Sequence, residues 1–241
     1  MMDQTITRLS RLRLSGMAAC WKTLTETRKN AELSLEDGLA LLLQAEEDQR
    51  RMNRFCRLEK NARFRYRASL EEVDTDPSRG IDKTLLTRLA MGDYIKNGEA
   101  IIAVGSTGCG KSFLVSALGL RACEQGFTVA YFNMQKLMMK LKIARLEGTI
   151  TKSFDKLAKT DLLILDDFAL SPLEASQQMD LMEIIEDRHA RKSTIIASQL
   201  PVAKWFDVFP EATVADSFLD RIVYTAHRFE FKKSESLRKK R

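Results

Sequence analysis

The stretch GSTGCGKS, residues 105–112, decides the fold of this chain. It fits the pattern G-x-x-x-x-G-K-[ST] of the Walker A phosphate loop. The apolar run AIIAV at residues 100–104 precedes it, and a segment with the periodicity of a helix follows it. A strand, a glycine-rich turn and a helix are what such a loop requires, because phosphate binds at the helix N-terminus. The alternative interpretation is an ordinary glycine turn.

The phosphate-loop interpretation gives a role to the residues of this stretch. The glycines let backbone N–H groups turn inward around phosphate oxygens. Lys111 is expected to lie against the β- and γ-phosphates, and the Ser112 hydroxyl is expected to bind magnesium. The predicted ATP-binding residues of the loop are Gly105, Ser106, Thr107, Gly108, Cys109, Gly110, Lys111 and Ser112.

Length and composition fit a globular protein with one large α/β domain and a small one. The chain has 241 residues, of which 44% are apolar, and no apolar run approaches the ~20 residues that span a bilayer. Its first residues, MMDQTITRLSRLRLS, lack the apolar core of a signal peptide. Four scattered cysteines and only two histidines disfavour a zinc site. We therefore expect a cytoplasmic protein with reduced thiols and no membrane partner.

The net charge of +6 is modest, but the basic residues are concentrated in three places. The first cluster lies within residues 48–67, the second within 228–241, and the third follows the apolar run at 129–133. Such clusters suit a polyanion such as nucleic acid. Each cluster has an alternative interpretation as a solvated helix face. The predicted DNA-binding residues are Arg50, Arg51, Arg54, Arg57, Lys136, Lys140, Lys142 and Arg145.

The N-terminal part of the chain is predicted to be helical. Residues 1–70 contain no proline, and apolar residues within 14–24 fall on one helical stripe. Ser34, followed by Asp37, resembles a capping box at the start of a helix that could continue to Ala62.

Aromatic residues interleave with the arginines of the first basic cluster. They are Phe55, Phe64 and Tyr66. Such rings can stack on bases, but they can equally form the buried face of an amphipathic helix. The sequence DTDPSRG at 74–80 then marks a turn-rich boundary. We therefore predict a helical N-terminal domain at 1–70 and a core domain at 71–241.

Beyond this boundary, apolar runs alternate with helical stretches, as in an α/β domain with a parallel sheet. A helix is predicted over residues 82–96. Strands are predicted at 100–104, 128–133, 161–166, 194–198 and 228–232, with helices between them.

The second chemical motif is LLILDD at residues 162–167. An apolar strand ends in two carboxylates, at the edge where a parallel sheet places its ligands. The motif therefore resembles Walker B. Asp166 is expected to hold magnesium through water, and Asp167 to orient or deprotonate the attacking water. The alternative is a solvated strand end.

Two further motifs contain candidate catalytic residues. STIIASQ at 193–199 is a short strand followed by Ser198 and Gln199, either of which could sense the γ-phosphate; a plain strand-end turn is the alternative. DSFLDR at 216–221 ends in Arg221, which could reach a neighbouring subunit's γ-phosphate as an arginine finger. The alternative for Arg221 is a salt bridge within its own subunit, for example with Asp216 or Asp220.

The order of these motifs resembles that of the IstB-like ATPases encoded beside the transposase in bacterial insertion sequences. The resemblance covers about residues 8–240 and rests on LSGMAACW, DPSRGID, GSTGCGKS, LLILDD, STIIASQLP, FLDRIVYTAHRFEF and SESLRKK. More distantly, the chain resembles the DnaC helicase loaders and the DnaA-type initiators of the AAA+ class.

The resemblance implies an α/β fold. It implies an AAA+ P-loop core whose parallel sheet has the order 5-1-4-3-2, preceded by a small all-helical N-terminal domain. It also implies Mg²⁺-dependent ATP hydrolysis, a homo-oligomer assembled on duplex DNA, and assistance to a cognate transposase. By the same likeness, Arg221 matches the arginine-finger helix and Arg238 matches a sensor arginine at the ATP site.

Two residues depart from the family's pattern. Asp167 stands where most AAA+ proteins have glutamate, and its shorter side chain is expected to slow hydrolysis. Ala169 stands where glycine is expected, so the turn after the acids could differ.

Two other functions remain open from the sequence. A DnaC-like helicase loader would bind a replicative helicase through its N-terminal helices and prefer single-stranded DNA. A small-molecule P-loop kinase would work as a monomer without DNA. The basic clusters, the pair of aspartates and the near-absence of a helical lid argue against the kinase.

Overall fold

The computed structural model describes residues 2–29 and 32–232. The predicted sensor residue, Arg238, lies outside the described residues. The chain divides into two compact units between Arg57 and Leu58. The first unit is helical, and the second contains a β-sheet.

The first unit contains α1 (Met2–Arg11), α2 (Ser15–Glu26) and most of α3 (Leu35–Ala62). The predicted start of α3 is confirmed, because the Ser34 hydroxyl accepts the Asp37 backbone N–H at 3.1 Å. The same hydroxyl donates to the Asp37 carboxylate at 2.6 Å. This reciprocal contact ties down the first turn of a long helix.

Helices α2 and α3 approach each other closely at Gly16. A Cβ atom there would lie 2.6 Å from the Glu46 Cα atom, so only glycine fits. The buried Glu46 carboxylate accepts the backbone N–H groups of Gly16 at 2.8 Å and Met17 at 3.3 Å, and thereby caps α2. The hydrogen bond from Arg50, together with these N–H groups, lowers the pKa of Glu46.

The second unit is built on a parallel sheet of five described strands. They are β1 (Ala100–Val104), β2 (Val129–Asn133), β3 (Leu162–Phe168), β4 (Ser193–Ser198) and β5 (His227–Glu230). Their order is β2-β3-β4-β1-β5, which is the predicted order 5-1-4-3-2 counted from the other edge. The predicted α/β fold and strand order are therefore confirmed.

Helices connect and cover these strands. They are α4 (Lys83–Leu89), α5 (Asp93–Lys96), α6 (Lys111–Glu124), α7 (Met134–Leu146), α8 (Ile150–Lys159), α9 (Ala175–Arg188) and α10 (Ala212–Val223). Because helices cover the sheet, the central strands are apolar and β4 is buried along its whole length. Among the described helices, none has both the length and the apolar character needed to cross a bilayer.

The parallel register brings the carboxyl ends of the strands to one edge of the sheet. Val104 at the end of β1 pairs with Ser198 at the end of β4. Asn133 at the end of β2 pairs with Asp166 of β3. The phosphate loop, both acids and the Ser198–Gln199 pair therefore follow strands at the same edge, where such sheets bind ligands.

Some predicted boundaries are wrong. The helix predicted over 82–96 is two helices, because Gly92 adopts a left-handed conformation with φ 85° between them. Strand β3 continues to Phe168, beyond its predicted end, after an irregularity in its pairing with β4. Strand β5 begins and ends slightly earlier than predicted.

The segment that follows α3 packs within the second unit. The Phe64 ring lies edge-on to the Tyr131 ring of β2, with centroids 6.2 Å apart. The Tyr66 ring lies 6.4 Å from the Phe113 ring of α6. Packing inside the protein therefore accounts for both rings without base stacking. The domain boundary at residue 70 stays a prediction.

Candidate nucleotide-binding site

The phosphate loop has the backbone geometry that anion binding requires. Gly108 and Gly110 adopt φ values of 82° and 108°, which residues with a Cβ atom rarely reach. Gly110 precedes α6, and no side chain among the described residues caps this helix. The first N–H groups of α6 are therefore oriented toward the loop, where a phosphate would accept them.

Lys111 points into the loop rather than into solvent. Its Nζ donates to the carbonyl oxygens of Gly105 at 2.8 Å and Ser106 at 2.9 Å. The side chain is buried, so its charge is held at the place where phosphate oxygens would lie. A cation desolvated in this way interacts more strongly with a phosphate than a solvated lysine does.

A cavity of about 360 Å³ lies beside the loop, within the range of small-ligand pockets. Residues of the phosphate loop, the acid Asp167 and Gln199, which follows β4, line this cavity together. Those predicted from the sequence are Thr107, Gly108, Cys109, Gly110, Lys111, Ser112, Asp167 and Gln199. The sequence did not predict Arg65, Tyr66, Glu72, Val73, Asp74, Arg79, Ile81, Phe113 and Phe231.

The segment DTDPSRG at 74–80, predicted as a turn-rich boundary, forms one wall of this cavity together with Ile81. Arg79 is buried there, donates to the Asp74 carboxylate at 2.5 Å and contacts the Cys109 carbonyl oxygen at 3.4 Å. Gly80 adopts φ 78°, and a Cβ atom there would lie 2.6 Å from the Glu230 carbonyl oxygen. The dense turn residues identify the turn, but nothing local in the sequence shows which surface it covers.

The two Walker B acids are held by residues of the neighbouring strand. Asp166 is buried, and its carboxylate accepts the Tyr131 hydroxyl and, at 2.9 Å, the Asp167 backbone N–H. Asp167 accepts the Asn133 side-chain amide at 3.0 Å. Burial, reinforced by the Asp166 charge, raises the pKa of Tyr131, so this hydroxyl stays a donor. Tyr131 and Asn133 both belong to β2. Because the predicted strand order places β2 beside β3, their position near the end of β2 is the sequence signal that could have identified them as partners of the acids.

Arg65 also contacts both acids. Its Nη1 lies 3.1 Å from Asp167 Oδ2 and 3.6 Å from Asp166 Oδ2. Partial burial by itself would lower the pKa of Arg65. The charges of Tyr66, Asp167 and Asp166 have the larger combined effect, so the pKa of Arg65 is raised above its ordinary value. The sequence indicates Arg65 only as part of a basic cluster, because its partners lie about a hundred residues further along the chain.

The two candidate sensor residues have different environments. Ser198 is fully buried; its hydroxyl donates to the Phe168 carbonyl at 2.8 Å and accepts the Leu200 N–H at 3.0 Å. Gln199 lines the cavity, and its side-chain oxygen accepts the Thr107 hydroxyl at 2.5 Å. The geometry therefore puts Gln199, rather than Ser198, within reach of a ligand in the cavity.

The backbone after the acids is strained. Asp167 and Ala169 adopt φ values of 57° and 62°, in the left-handed region that costs an L-residue about 1–2 kcal/mol. The turn thus has the conformation that glycine favours, although alanine occupies position 169. The Ser198 hydroxyl bonds to Phe168 in the middle of this turn and helps to hold it.

Arg221 is not among the described residues that line the cavity. Its guanidinium pairs with Glu186 at 3.3 Å and donates to the Ser217 carbonyl oxygen at 3.1 Å. The intrasubunit partner is therefore Glu186 of α9, not Asp216 or Asp220. Its role as an arginine finger stays a prediction.

The core basic residues lie near one another on the surface. Burial, together with the like charges of Arg63, Lys156 and Lys136, lowers the pKa of Lys140. We call these four residues the basic patch. Lys142 is exposed on the same helix, α7.

Other predicted DNA-binding residues have acidic partners or contacts. Arg145 pairs with the buried Asp180, Arg50 with Glu46 at 2.8 Å, and Arg51 with Asp48 at 3.9 Å. Arg54 also has an interaction within the protein, and Arg57 is exposed at the end of the first unit.

The oxygen ligands at this edge fit magnesium. Mg²⁺ is usually bound by one or two protein oxygens together with substrate phosphates and water. Asp166 at the end of β3 and the Ser112 hydroxyl at the start of α6 supply such oxygens. In the part of the chain that the structure describes, no group of three or more His, Cys, Asp or Glu could hold a metal ion.

Structural comparison shows that the fold of this chain is similar to those of a helicase loader and a replication initiator. The DnaC helicase loader superposes with a TM-score of 0.61 at 22% identity, over 69% of this chain and 98% of the loader. The replication initiator DnaA bound to AMPPCP and single-stranded DNA superposes with a TM-score of 0.58 at 21% identity, over 73% of this chain and 53% of DnaA. At such identities the likeness shows the fold alone.

Sequence comparison identifies the family. A protein of Sinorhizobium fredii named as insertion sequence ATP-binding protein y4pL is 38% identical over 98% of this chain and 96% of its own length. A Pseudomonas fluorescens protein named as the ATP-binding protein of insertion sequence IS1162 is 39% identical over 83% of this chain and 87% of its own length. The model of the family described as IstB-like ATP binding protein matches residues 7–241. With the phosphate loop and the paired acids at one edge of an AAA+ sheet, this chain belongs to the IstB-like ATP-binding protein family.

Proposed function

We propose that this protein is an ATPase that assembles on duplex DNA and assists a cognate transposase. The observation that carries the proposal is the convergence of Lys111, Asp167 and Gln199 on one cavity in an IstB-like chain. The loop supplies the cation and N–H groups that phosphates need, and Asp167 supplies a carboxylate for the attacking water. The names of the relatives place such chains in insertion sequences.

The residues of this chain divide the work of hydrolysis among them. Lys111 and the N-terminus of α6 bind the β- and γ-phosphates, while Asp167 orients the water and accepts its proton. Gln199 hydrogen-bonds the γ-phosphate or that water. Mg²⁺, held by Asp166 and Ser112, supplies charge neutralisation at the phosphate oxygens when it is bound. This catalysis is positioning and electrostatic stabilisation without a covalent intermediate.

ATP bound between subunits would hold a homo-oligomer together. In this proposal, Arg221 leaves its ion pair with Glu186 and contacts the γ-phosphate of a neighbouring subunit. Arg238 completes the ATP site of its own subunit in the same scheme. Hydrolysis then releases the assembly and hands the DNA to the transposase.

The basic patch of Arg63, Lys136, Lys140 and Lys156 is the proposed DNA contact of the core. Burial, and after it the like charges of the other three residues, lowers the pKa of Lys140, so an anion bound at the patch would relieve the repulsion among these charges. Contacts to phosphates carry little sequence information, so we expect little sequence preference and strong salt dependence.

The test measures assembly and partner choice with the full chain. With ATP, Mg²⁺ and duplex DNA of random sequence, sedimentation velocity should show large complexes that ADP does not support. In pull-downs, the transposase from the same insertion sequence should be retained and a replicative helicase should not. A chain that stays monomeric with ATP and duplex DNA, or that retains only the helicase, would contradict the proposal.

A further inference from the structure

Arg65 contacts the carboxylates of both Asp166 and Asp167, and of these two acids Asp167 lines the nucleotide cavity. A single guanidinium nitrogen, Nη1, lies 3.1 Å from Asp167 Oδ2 and 3.6 Å from Asp166 Oδ2. Arg65 and Asp167 both line the cavity. The guanidinium of Arg65 therefore puts a positive charge at the position that a divalent cation bound to these acids would occupy.

Asp166 is fully engaged by hydrogen bonds and this ion pair. Its Oδ1 accepts the Asp167 N–H at 2.9 Å, and its Oδ2 accepts the Tyr131 hydroxyl as well as facing Arg65. Of these partners, the first is backbone and Tyr131 is buried. Arg65, whose side chain is 40% exposed, is the described partner of Asp166 that can move away without disturbing the sheet.

The backbone on both sides of Arg65 is anchored. The Phe64 ring packs against α6 at Gly119, where a Cβ atom would lie 2.5 Å from the ring. Tyr66 packs beside Phe113, and its ring lies 5.6 Å from the Arg65 guanidinium carbon. Movement of Arg65 is therefore a side-chain movement, which needs no rearrangement of the segment.

The same short segment reaches the basic patch. Arg63 lies two residues before Arg65, and its charge contributes to the lowered pKa of Lys140. DNA phosphates bound beside Arg63 would add negative charge two residues along the chain from Arg65. They would thus compete with the two aspartates for its guanidinium.

We propose that Arg65, while paired with Asp167, is a tethered cation that competes with Mg²⁺ for Asp166, and that duplex DNA at the basic patch relieves this competition. The inference rests on the proposed function, because it needs ATP and DNA to bind the same chain. It adds regulation: the site accepts Mg²⁺–ATP readily only when DNA is present.

The experiment measures nucleotide binding, not turnover. A fluorescent ATP analogue is titrated with Mg²⁺ on the full-length wild type and on Arg65→Gln, with and without duplex DNA. The half-saturating Mg²⁺ concentration should be about fivefold lower in Arg65→Gln, the effect of losing one partly exposed ion pair. Duplex DNA should lower the wild-type value by a similar factor and leave the variant unchanged.

Arg67→Gln is the matched control. It removes the same charge two residues away, where Arg67 pairs with Glu59 at 3.2 Å, and it should behave as the wild type does. Arg65→Lys keeps the charge without the planar guanidinium and should give an intermediate value. Equal thermal melting of all four proteins establishes that they are folded.

The outcomes separate the two proposals. An unchanged or higher Mg²⁺ requirement in Arg65→Gln would overturn the competition. Weaker ATP binding at saturating Mg²⁺ would also overturn it, because Arg65 would then contact the nucleotide. An equal effect of DNA on wild type and variant would overturn the link to the patch. Failure of the wild type to bind ATP or DNA would instead overturn the proposed function.

Discussion

The phosphate loop and the Walker B edge, residues 166–169, lie at the same edge of the sheet but hold their conformations in different ways. In the loop, glycines occupy the left-handed positions Gly108 and Gly110 without strain. At the Walker B edge, Asp167 and Ala169 occupy them, at a cost that other contacts must offset.

The source of support also differs between the two regions. Lys111 is held by carbonyl oxygens of its own loop, five and six residues away. The acids are held by Tyr131, Asn133 and Arg65, which come from other segments of the chain. The loop is thus a self-contained binding element, whereas the Walker B edge depends on its surroundings. We expect loop substitutions to remove binding and edge substitutions to change turnover or regulation.

Lys111→Ala should have the most extensive effect, because it should remove ATP binding and, with it, assembly. The phosphates lose the buried cation of the loop, so ATP affinity should fall at least about a hundredfold, and assembly on DNA should be lost with it. Titration with a fluorescent ATP analogue and sedimentation with DNA measure the two effects. Assembly like that of the wild type would show that ATP does not hold the oligomer.

Arg221→Ala extends the comparison to a neighbouring subunit. ATP binding should remain nearly intact, while hydrolysis should fall about a thousandfold, because a finger acts on the neighbour's γ-phosphate. Mixing Arg221→Ala with Lys111→Ala should restore part of the activity at interfaces with one intact site and one intact finger. The incorporation of Lys111→Ala subunits has to be checked first. Mixed oligomers that form and stay inactive would assign Arg221 to its pair with Glu186.

Asp167→Asn tests the Walker B edge at constant shape. Asparagine tolerates the left-handed conformation of this position, but its amide does not accept a proton from water. ATP binding should persist and the hydrolysis rate should fall about a hundredfold, with longer-lived assemblies on DNA. A loss of binding similar to that of Lys111→Ala would remove the distinction between the two regions.

The basic patch continues from the Walker B edge, because α7 begins directly after Asn133. Replacing Lys136 and Lys140 by alanine should weaken DNA binding for all sequences alike. The slope of log affinity against log salt should flatten by about one unit for each DNA phosphate that the variant no longer neutralises. Arg50→Ala with Arg51→Ala removes equal charge from helix positions that already face acids, and should change the slope less. Equal slopes in both double variants would contradict this ranking.

Ala169→Gly should have the smallest effect and the opposite sign. Glycine adopts the φ of 62° without strain, so we expect the free energy of unfolding to rise by up to about 1 kcal/mol. Glycine also has more freedom in the unfolded chain, which limits the gain. Urea denaturation measures the difference. A clear loss of stability would mean that the Ala169 methyl group packs usefully enough to outweigh the strain.

The sequence predicted the phosphate loop, the paired acids and the strand order because these features are local or follow from a family resemblance. Thr107–Ser112 are contiguous, and the acids directly follow an apolar strand. The predicted helix over 82–96 failed at Gly92, where a single left-handed residue separates two helices. Glycine is a weak signal by itself, since it also occurs inside helices such as α6.

The environment of the acids could not be predicted in the same way. Arg65 reaches Asp167 across 102 positions of sequence, and Phe231 reaches the cavity from the far end of the described chain. The sequence around a site arginine such as Arg65 looks the same as that around a solvated arginine. The sequence around a cavity-lining ring such as Phe231 looks the same as that around a ring in the core. Only the folded chain distinguishes Lys140, whose neighbours are like charges, from Arg145, which is paired with Asp180.

The close packing against Gly119 of α6 limits which substitutions this chain can accept. A methyl group there would meet the Phe64 ring at 2.5 Å and the Ile164 side chain at 2.8 Å, between a helix and a strand that both carry site residues. A larger residue at 119 therefore requires both Phe64 and Ile164 to shift or to be replaced by smaller residues. We expect a substitution at Gly119 to be accepted only together with changes at these two positions.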